Sequence, residues 1–342
     1  SAGRGERLAA DGAHIPSDGR SIRSAVLGGV PVAPRRRPIY GDDDIIGASP
    51  CRRQKRRVEG ADLSGLREDD LGETETRRPK VALIGAGAMG GALLKGWISK
   101  RAIDAAASAV YEPDPSVSLE TVARRAAISL NPPPEPRFDA VVIAIKPQSL
   151  ADAEPYAVIA QDAVVISVLA GRSIAAVSSV LRTNRVIRVM PNLPSIVGAG
   201  AAGLFAPPAA GPEDRRIARM LMEAVGETVF VDSEAAIDAV TAISGSGPAY
   251  FFLLAEALEE AACTLGLPAN TAAMLARRTL AGAGAMIASD DRSPAALRCA
   301  VTSPGGTTES ALKVLDGDQQ LVRRLVKDAA AAAYRRAQDL NG

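Results

Sequence analysis

Histidine is all but missing from this 342-residue chain: the one imidazole is His14, in a stretch that reads as unfolded. A histidine triad, a histidine general base and a histidine-ligated metal are thereby excluded from the part that folds, and no metal site is expected. Aromatic residues make up 3% of the sequence, too few for the stacking platforms of single-strand nucleic-acid binders. The three cysteines, Cys51, Cys263 and Cys299, form no Cys-x-x-Cys pair, so no disulfide framework is indicated. Cys263 and Cys299 are expected as small apolar fillers. No apolar run reaches the roughly 18 residues of a bilayer-crossing helix, and no secretory-type apolar core stands near the start. A net charge of +1 selects neither nucleic acid nor an anionic membrane as partner. These absences lead to the expectation of a cytoplasmic protein that binds neither.

What is present divides at about residue 80. Residues 1–79 are rich in Gly, Arg, Asp, Pro and Ser, with charge in blocks such as Arg35-Arg36-Arg37 and Asp42-Asp43-Asp44. Such a segment buries too little apolar surface to offset its ordering entropy, and it is expected to be a disordered extension. The basic block at residues 52–57 reads as a solvated tail in preference to a nucleic-acid patch, and the acids nearby argue against a mitochondrial transit peptide.

From Lys80 short apolar runs alternate with helix-like stretches. Residues 81–84, 107–111, 140–145, 163–169 and 186–190 are strand-length runs without polar alternation, the mark of strands buried on both faces. Alternating β and α predicts a doubly wound parallel sheet over residues 80–232. Beyond it the strand signals stop. Residues 233–342 are rich in Ala and Leu with helical periodicity, and residues 250–265, 271–288 and 320–338 are each long enough for a full helix. An all-helical second domain is expected, its small-residue faces packed between subunits.

Gly85-Ala86-Gly87-Ala88-Met89-Gly90 matches G-x-G-x-x-G between a predicted strand and a predicted helix. In that setting Gly85 makes the tight turn, Gly87 lets the backbone approach a pyrophosphate, and Gly90 lets helix and strand pack closely: a Rossmann dinucleotide site. The helix N-terminus then presents N–H groups and a positive partial charge to the phosphates. Glu112 closes the second strand about 20 residues on. An acid there accepts from the ribose 2′-OH and repels a 2′-phosphate, which favours NADH over NADPH.

Several blocks then become recognisable. They are Val81-Ala82-Leu83-Ile84 with the glycine run, Ala144-Ile145-Lys146-Pro147, Arg188-Val189-Met190-Pro191-Asn192-Leu193-Pro194 and Ser244-Gly245-Ser246-Gly247-Pro248-Ala249-Tyr250. The most specific is Val301-Thr302-Ser303-Pro304-Gly305-Gly306-Thr307-Thr308. In this order they resemble the pyrroline-5-carboxylate reductase family from about residue 80 to the end. The resemblance implies a Rossmann domain followed by a helical dimerisation domain, with homodimers assembling further. It implies an active site shared between one chain's nucleotide domain and its partner's Ser-Pro-Gly-Gly-Thr-Thr loop. It places Ala144, Lys146 and Pro147 beside the nicotinamide, Asn131 at the adenosine ribose, and Ser303, Thr307 and Thr308 at the substrate. Glu112 departs from the small or polar residue of many members, which bears on their usual NADPH preference.

The implied reaction is hydride transfer from NADPH or NADH to the C=N carbon of 1-pyrroline-5-carboxylate, giving proline. An imine can arrive already protonated, so it needs no strong enzymatic acid, which suits a folded region without histidine. Carboxylate binding is assigned to Ser303 and the backbone of Gly306, Thr307 and Thr308, at the start of a helix predicted over residues 309–314. Thr308 Oγ is the candidate catalytic contact to the ring nitrogen, with ordinary helix capping as the rival role for both threonines. Lys146 reads as a cofactor contact, Trp97 as packing and Tyr250 as a core or interface residue. The competing functions are reduction of another cyclic imine or a β-hydroxyacid, and a dinucleotide-binding regulator without turnover.

Overall fold

The computed structural model describes residues 77–340; the expectation of disorder over 1–79 lies almost wholly outside them. Eight strands form one sheet: β1 (Val81–Ile84), β2 (Ala109–Tyr111), β3 (Ser129–Leu130), β4 (Ala140–Ile143), β5 (Val164–Ser167), β6 (Val186–Met190), β7 (Gly200–Phe205) and β8 (Gly226–Phe230). Their order is β3-β2-β1-β4-β5-β6-β7-β8. The chain winds outward from β1 to β3, returns to place β4 on the other side of β1, and leaves a crevice at the carboxyl ends of β1 and β4. Helices α1 (Ala88–Lys100), α2 (Val117–Ala126), α3 (Ala157–Ala160), α4 (Ile174–Leu181) and α5 (Pro212–Glu223) lie between strands.

The missing alternation in the strand sequences has a direct cause. Val81 and Leu83 of β1 join one buried cluster, with Leu93, Leu94 and Trp97 of α1. Ala82 and Ile84 join a second, with Val141, Ile143 and Val177. Both faces are covered, so every position in β1, β4 and β5 is buried. Trp97 is fully buried and donates its indole N–H to the Leu221 carbonyl at 2.8 Å, a packing residue as expected.

Two features depart from the sequence reading. The sheet is not all parallel, because β6 and β7 run antiparallel. Nor do β7 and β8 show in the sequence: β7 reads Gly-Ala-Ala-Gly-Leu-Phe, and its glycines serve close approach. A Cβ on Gly226 would collide with the Gly200 carbonyl, so the two strands touch backbone to backbone. The run at 107–111 also divides, since Asp104 caps a single 3-10 turn before β2 begins.

After β8 the described chain is helical: α6 (Ala236–Val240), α7 (Gly247–Thr264), α8 (Ala269–Ser289), α9 (Pro294–Ala300), α10 (Thr307–Asp316) and α11 (Leu321–Leu340). A π-helical turn, Thr241–Gly245, joins α6 to α7. The resulting stretch Ala236–Thr264 is 29 residues long and holds an 18-residue window with a mean hydropathy of 1.2, long and apolar enough by length and composition to cross a bilayer. The count of uninterrupted apolar residues missed it, because Asp238 and the Ser/Gly positions break the run without breaking the helix. Cys263 and Cys299 are exposed within the single chain, not buried fillers.

The seam between sheet and helices is ionic. Arg188 projects from β6 with its side chain 4% exposed and lies 3.2 Å from Glu234 and 3.4 Å from Asp238. Glu234 also accepts the Ile174 N–H at 2.7 Å, tying α4 to the same junction. A buried guanidinium is tolerated only with such partners. α11 packs on the π turn and on α6, and α10 packs on α11.

Candidate active site

β1 hands the chain to Gly85 at φ +88°, where a Cβ would stand 2.8 Å from the backbone of Ala144. The Ala144 N–H donates to the Ile84 carbonyl at 2.8 Å, so the ends of β1 and β4 are locked side by side. A Cβ on Gly90 would collide with the Gly85 carbonyl, whereas nothing lies within 4 Å of the one that Gly87 lacks. Gly87 is the N-cap of α1, with no side-chain cap and no acid in the first turn. The leading N–H groups of α1 therefore have no partner inside the helix, and Gly87 and Ala88 are exposed. This arrangement fits a dinucleotide pyrophosphate: the backbone can be approached closely, donors converge, and the helix end carries positive partial charge. Met89 and Ala86 pack in part against the core below.

Glu112 follows β2, and its Oε2 accepts the Ala86 N–H at 2.7 Å, inside the glycine-rich turn. Asn131 sits beside it: Oδ1 accepts the Glu112 N–H and Nδ2 donates to the Glu112 carbonyl, both at 2.9 Å. Tyr111 and Tyr156 pack together nearby, their rings tilted by 56° with centroids 4.8 Å apart. Burial raises the pKa of the Tyr156 phenol, and the charge of Glu112 adds to the rise. Lys146 is exposed at the carboxyl edge of β4, and Pro147 opens a run of 3-10 turns. Arg172 Nε donates to the Pro147 carbonyl at 2.8 Å. Arg172 lay outside the recognisable motifs, and no spacing signal pointed to it.

A groove of about 270 Å³ runs along the first turns of α1, lined among others by Gly87, Gly91, Lys95, Ser116, Ser118 and Ile196. The serines were not read from sequence, though Ser116 is a legible N-cap, accepting the Leu119 N–H at 3.2 Å. A wider groove of about 750 Å³ lies at the opposite, amino-terminal edge of the sheet. Its charges are largely matched, as in Arg77–Asp139 and Arg185–Asp214.

The Ser303–Thr308 segment forms the entry to α10. Helix α10 starts at Thr307 itself, two residues before the predicted start, with Gly306 as N-cap and no side-chain cap. The threonines are thus the first two helical residues and do not cap, and their N–H groups have no partner within the helix. The N–H of Gly305 donates to Glu309 Oε2 at 2.8 Å and that of Gly306 to the Ser303 carbonyl at 3.1 Å. Gly306 therefore contributes its lack of a side chain, since a Cβ there would stand 2.5 Å from Ser303 Oγ. Glu309 is held below its usual carboxylate range first by the Gly305 N–H and then by the charge of Lys313. Ser303 and Thr307 are exposed in the single chain, Thr308 half-buried. Tyr250 donates to the Ala242 carbonyl at 3.0 Å, bracing the π turn.

Comparison with known proteins bears on both halves. Residues 80–171 match the family model described as NADP oxidoreductase coenzyme F420-dependent. Residues 234–340 match the one described as pyrroline-5-carboxylate reductase dimerisation. A pyrroline-5-carboxylate reductase of Pseudomonas aeruginosa is 38% identical over 269 residues, covering 77% of this chain and 97% of the relative. Among solved structures, a pyrroline-5-carboxylate reductase of Coxiella burnetii superposes with a TM-score of 0.72 at 35% identity, over 78% of this chain and all of that one. The Plasmodium falciparum pyrroline carboxylate reductase with NADP bound gives 0.64 at 25% identity, over 78% and 99%. With a glycine-rich turn built for a dinucleotide, a helical region matched to that dimerisation module and relatives alike along their whole length, this chain belongs to the pyrroline-5-carboxylate reductase family, NAD(P)H-dependent oxidoreductases that reduce an imine C=N bond in proline biosynthesis.

Proposed function

We propose that this reductase makes proline in the cytoplasm as a homodimer or larger homo-oligomer, with NADH as its preferred reductant. The pyrophosphate lies over residues 85–90 and the nicotinamide end beside Ala144, Lys146 and Pro147. The observation that carries the cofactor preference is the Glu112 carboxylate fixed on the Ala86 N–H of the glycine-rich turn, the position from which an acid reaches an adenosine ribose. A hydroxyl donates to that carboxylate, and a 2′-phosphate is repelled by it. Asn131 belongs to the same end of the site.

When bound, the dinucleotide supplies the hydride for the imine carbon. The protein's own part is placement. Ser303 Oγ and the N–H groups of Thr307 and Thr308 hold the substrate carboxylate at the mouth of α10, where the helix dipole favours an anion. Thr308 Oγ takes the hydrogen bond of the ring nitrogen and fixes which face of the ring meets the nicotinamide. No side chain has to deliver a proton to an iminium that arrives protonated. The exposure of Ser303 and Thr307 in one chain supports a site completed by a partner's nucleotide domain.

The test is oxidation of NADH and of NADPH, side by side, with 1-pyrroline-5-carboxylate and with six-membered cyclic imines. Faster turnover of pyrroline-5-carboxylate with NADH is the expected result. Binding of either dinucleotide without turnover of any imine would overturn it.

A further inference from the structure

β3 stops after two residues, and Pro132, Pro133 and Pro134 follow Asn131. The parallel ladder between β2 and β3 runs from the Ser129 N–H to the Ser108 carbonyl and from the Asn131 N–H to the Val110 carbonyl. Its next rung would take an N–H from residue 133 to Glu112, and proline has none to give. The Asn131 carboxamide stands in for that peptide, accepting from the Glu112 N–H and donating to the Glu112 carbonyl. Asn131 adopts φ +51°, a left-handed conformation that asparagine tolerates better than most side chains, and from there its side chain reaches back to the strand. Glu112 is thus gripped twice, its peptide groups by Asn131 and its carboxylate by the Ala86 N–H.

We propose that Asn131 is a positioning residue for cofactor selection. It acts through Glu112, keeping the carboxylate at the ribose 2′ position, and not through a contact of its own with the dinucleotide. The inference rests on the reading of Glu112 as selector. A carboxylate held at both ends cannot swing aside for a 2′-phosphate, so the repulsion stays unrelieved. Loosening the peptide lets it turn away and admits NADPH.

The experiment uses the full chain and three variants: Asn131→Gly, which keeps the left-handed backbone and removes the carboxamide, Glu112→Ser, and the two combined. kcat/KM is measured for NADH and NADPH with pyrroline-5-carboxylate. Asn131→Gly should lower the NADH-over-NADPH ratio about five-fold, the size of a lost hydrogen-bond pair at an exposed position. Glu112→Ser should lower it about tenfold or more. The double variant should match Glu112→Ser, because nothing is left to position. KM for the imine at saturating NADH should not move, which separates positioning from a general loss of fold. Equal weakening of both cofactors with the ratio intact would mean direct contact and overturn the inference, as would additive effects in the double variant. If Glu112→Ser shifts the ratio and Asn131→Gly does not, this inference alone falls. If Glu112→Ser leaves the ratio unmoved, the selector reading falls and takes this one with it.

Discussion

In the sheet region Val81 and Leu83 are 1% exposed and Ile143 and Ile166 fully buried, whereas on α7 Phe251, Phe252, Leu253 and Leu254 are 57, 58, 65 and 50% exposed. Both regions are apolar, so the contrast is one of layers. The sheet is covered on each face by helices of its own chain. Among the described residues α7 and α8 lean mainly on each other, with no second layer over their outer faces. Apolar surface on that scale calls for a partner, and the match to a dimerisation module falls on these residues. One region is a finished domain; the other is half of one.

The sharpest way to break that contrast is Phe252→Glu. A carboxylate on the open face of α7 should separate the subunits and lower imine turnover about a hundredfold, while the sheet region goes on binding dinucleotide. Sedimentation velocity and titration calorimetry read the two effects, and an unchanged dimer would show that α7 is not the shared face. Next comes the seam. Arg188→Met leaves Asp238 buried opposite an apolar side chain, which costs about 3–5 kcal/mol and should lower the thermal midpoint by roughly 10 °C. A midpoint within a degree or so of the parent would mean that the two regions do not depend on this ion cluster. Thr308→Ala should reduce kcat about thirtyfold, as for loss of a hydrogen bond to a charged group, with the dissociation constant for the dinucleotide unmoved. Unchanged kinetics would return Thr308 to a purely structural role. The smallest effect is at Glu309, whose native pKa is depressed below the usual 4.5 by the Gly305 N–H and Lys313. A depressed carboxylate stabilises above its unfolded pKa and loses that contribution as pH falls through the native one. The midpoint difference between the parent and Glu309→Gln should therefore be small, greatest above pH 4.5 and shrinking below it; a difference that grows in acid would reverse the assignment.

The sequence showed the finished region more clearly than the unfinished one, though not evenly. β1, β4, β5 and β6 were legible because burial on both faces leaves nothing but apolar side chains. β7 and β8 were not, because Gly200, Gly203 and Gly226 are there for what they lack, and a missing side chain carries no periodicity. The glycine turn and Glu112 could be read as a motif, but the Asn131 rung could not, since it depends on a proline failing to donate two residues later. In the helical region the long helices α7, α8 and α11 were plain from periodicity, whereas the short α6 and α9 were too brief to show one. What misled was the environment: Cys263 and Cys299 look like core residues because they are drawn from the same palette as a core, and their faces are open in one chain. Helix α10 began at Thr307 because Gly306, not a threonine, takes the cap.

Gly87 has no neighbour within 4 Å of where a Cβ would stand, so a substitution there costs the fold only the modest difference between glycine and another residue at a helix N-cap. Gly85 and Gly90 are different, since a methyl group at either would strike the backbone. A screen that ranks variants by melting temperature would reject changes at 85 and 90 and pass a valine at 87 without comment. Such a chain would melt close to its parent while its dinucleotide cleft was plugged. Its defect would stay hidden from every assay of folding and appear only when a ligand is offered.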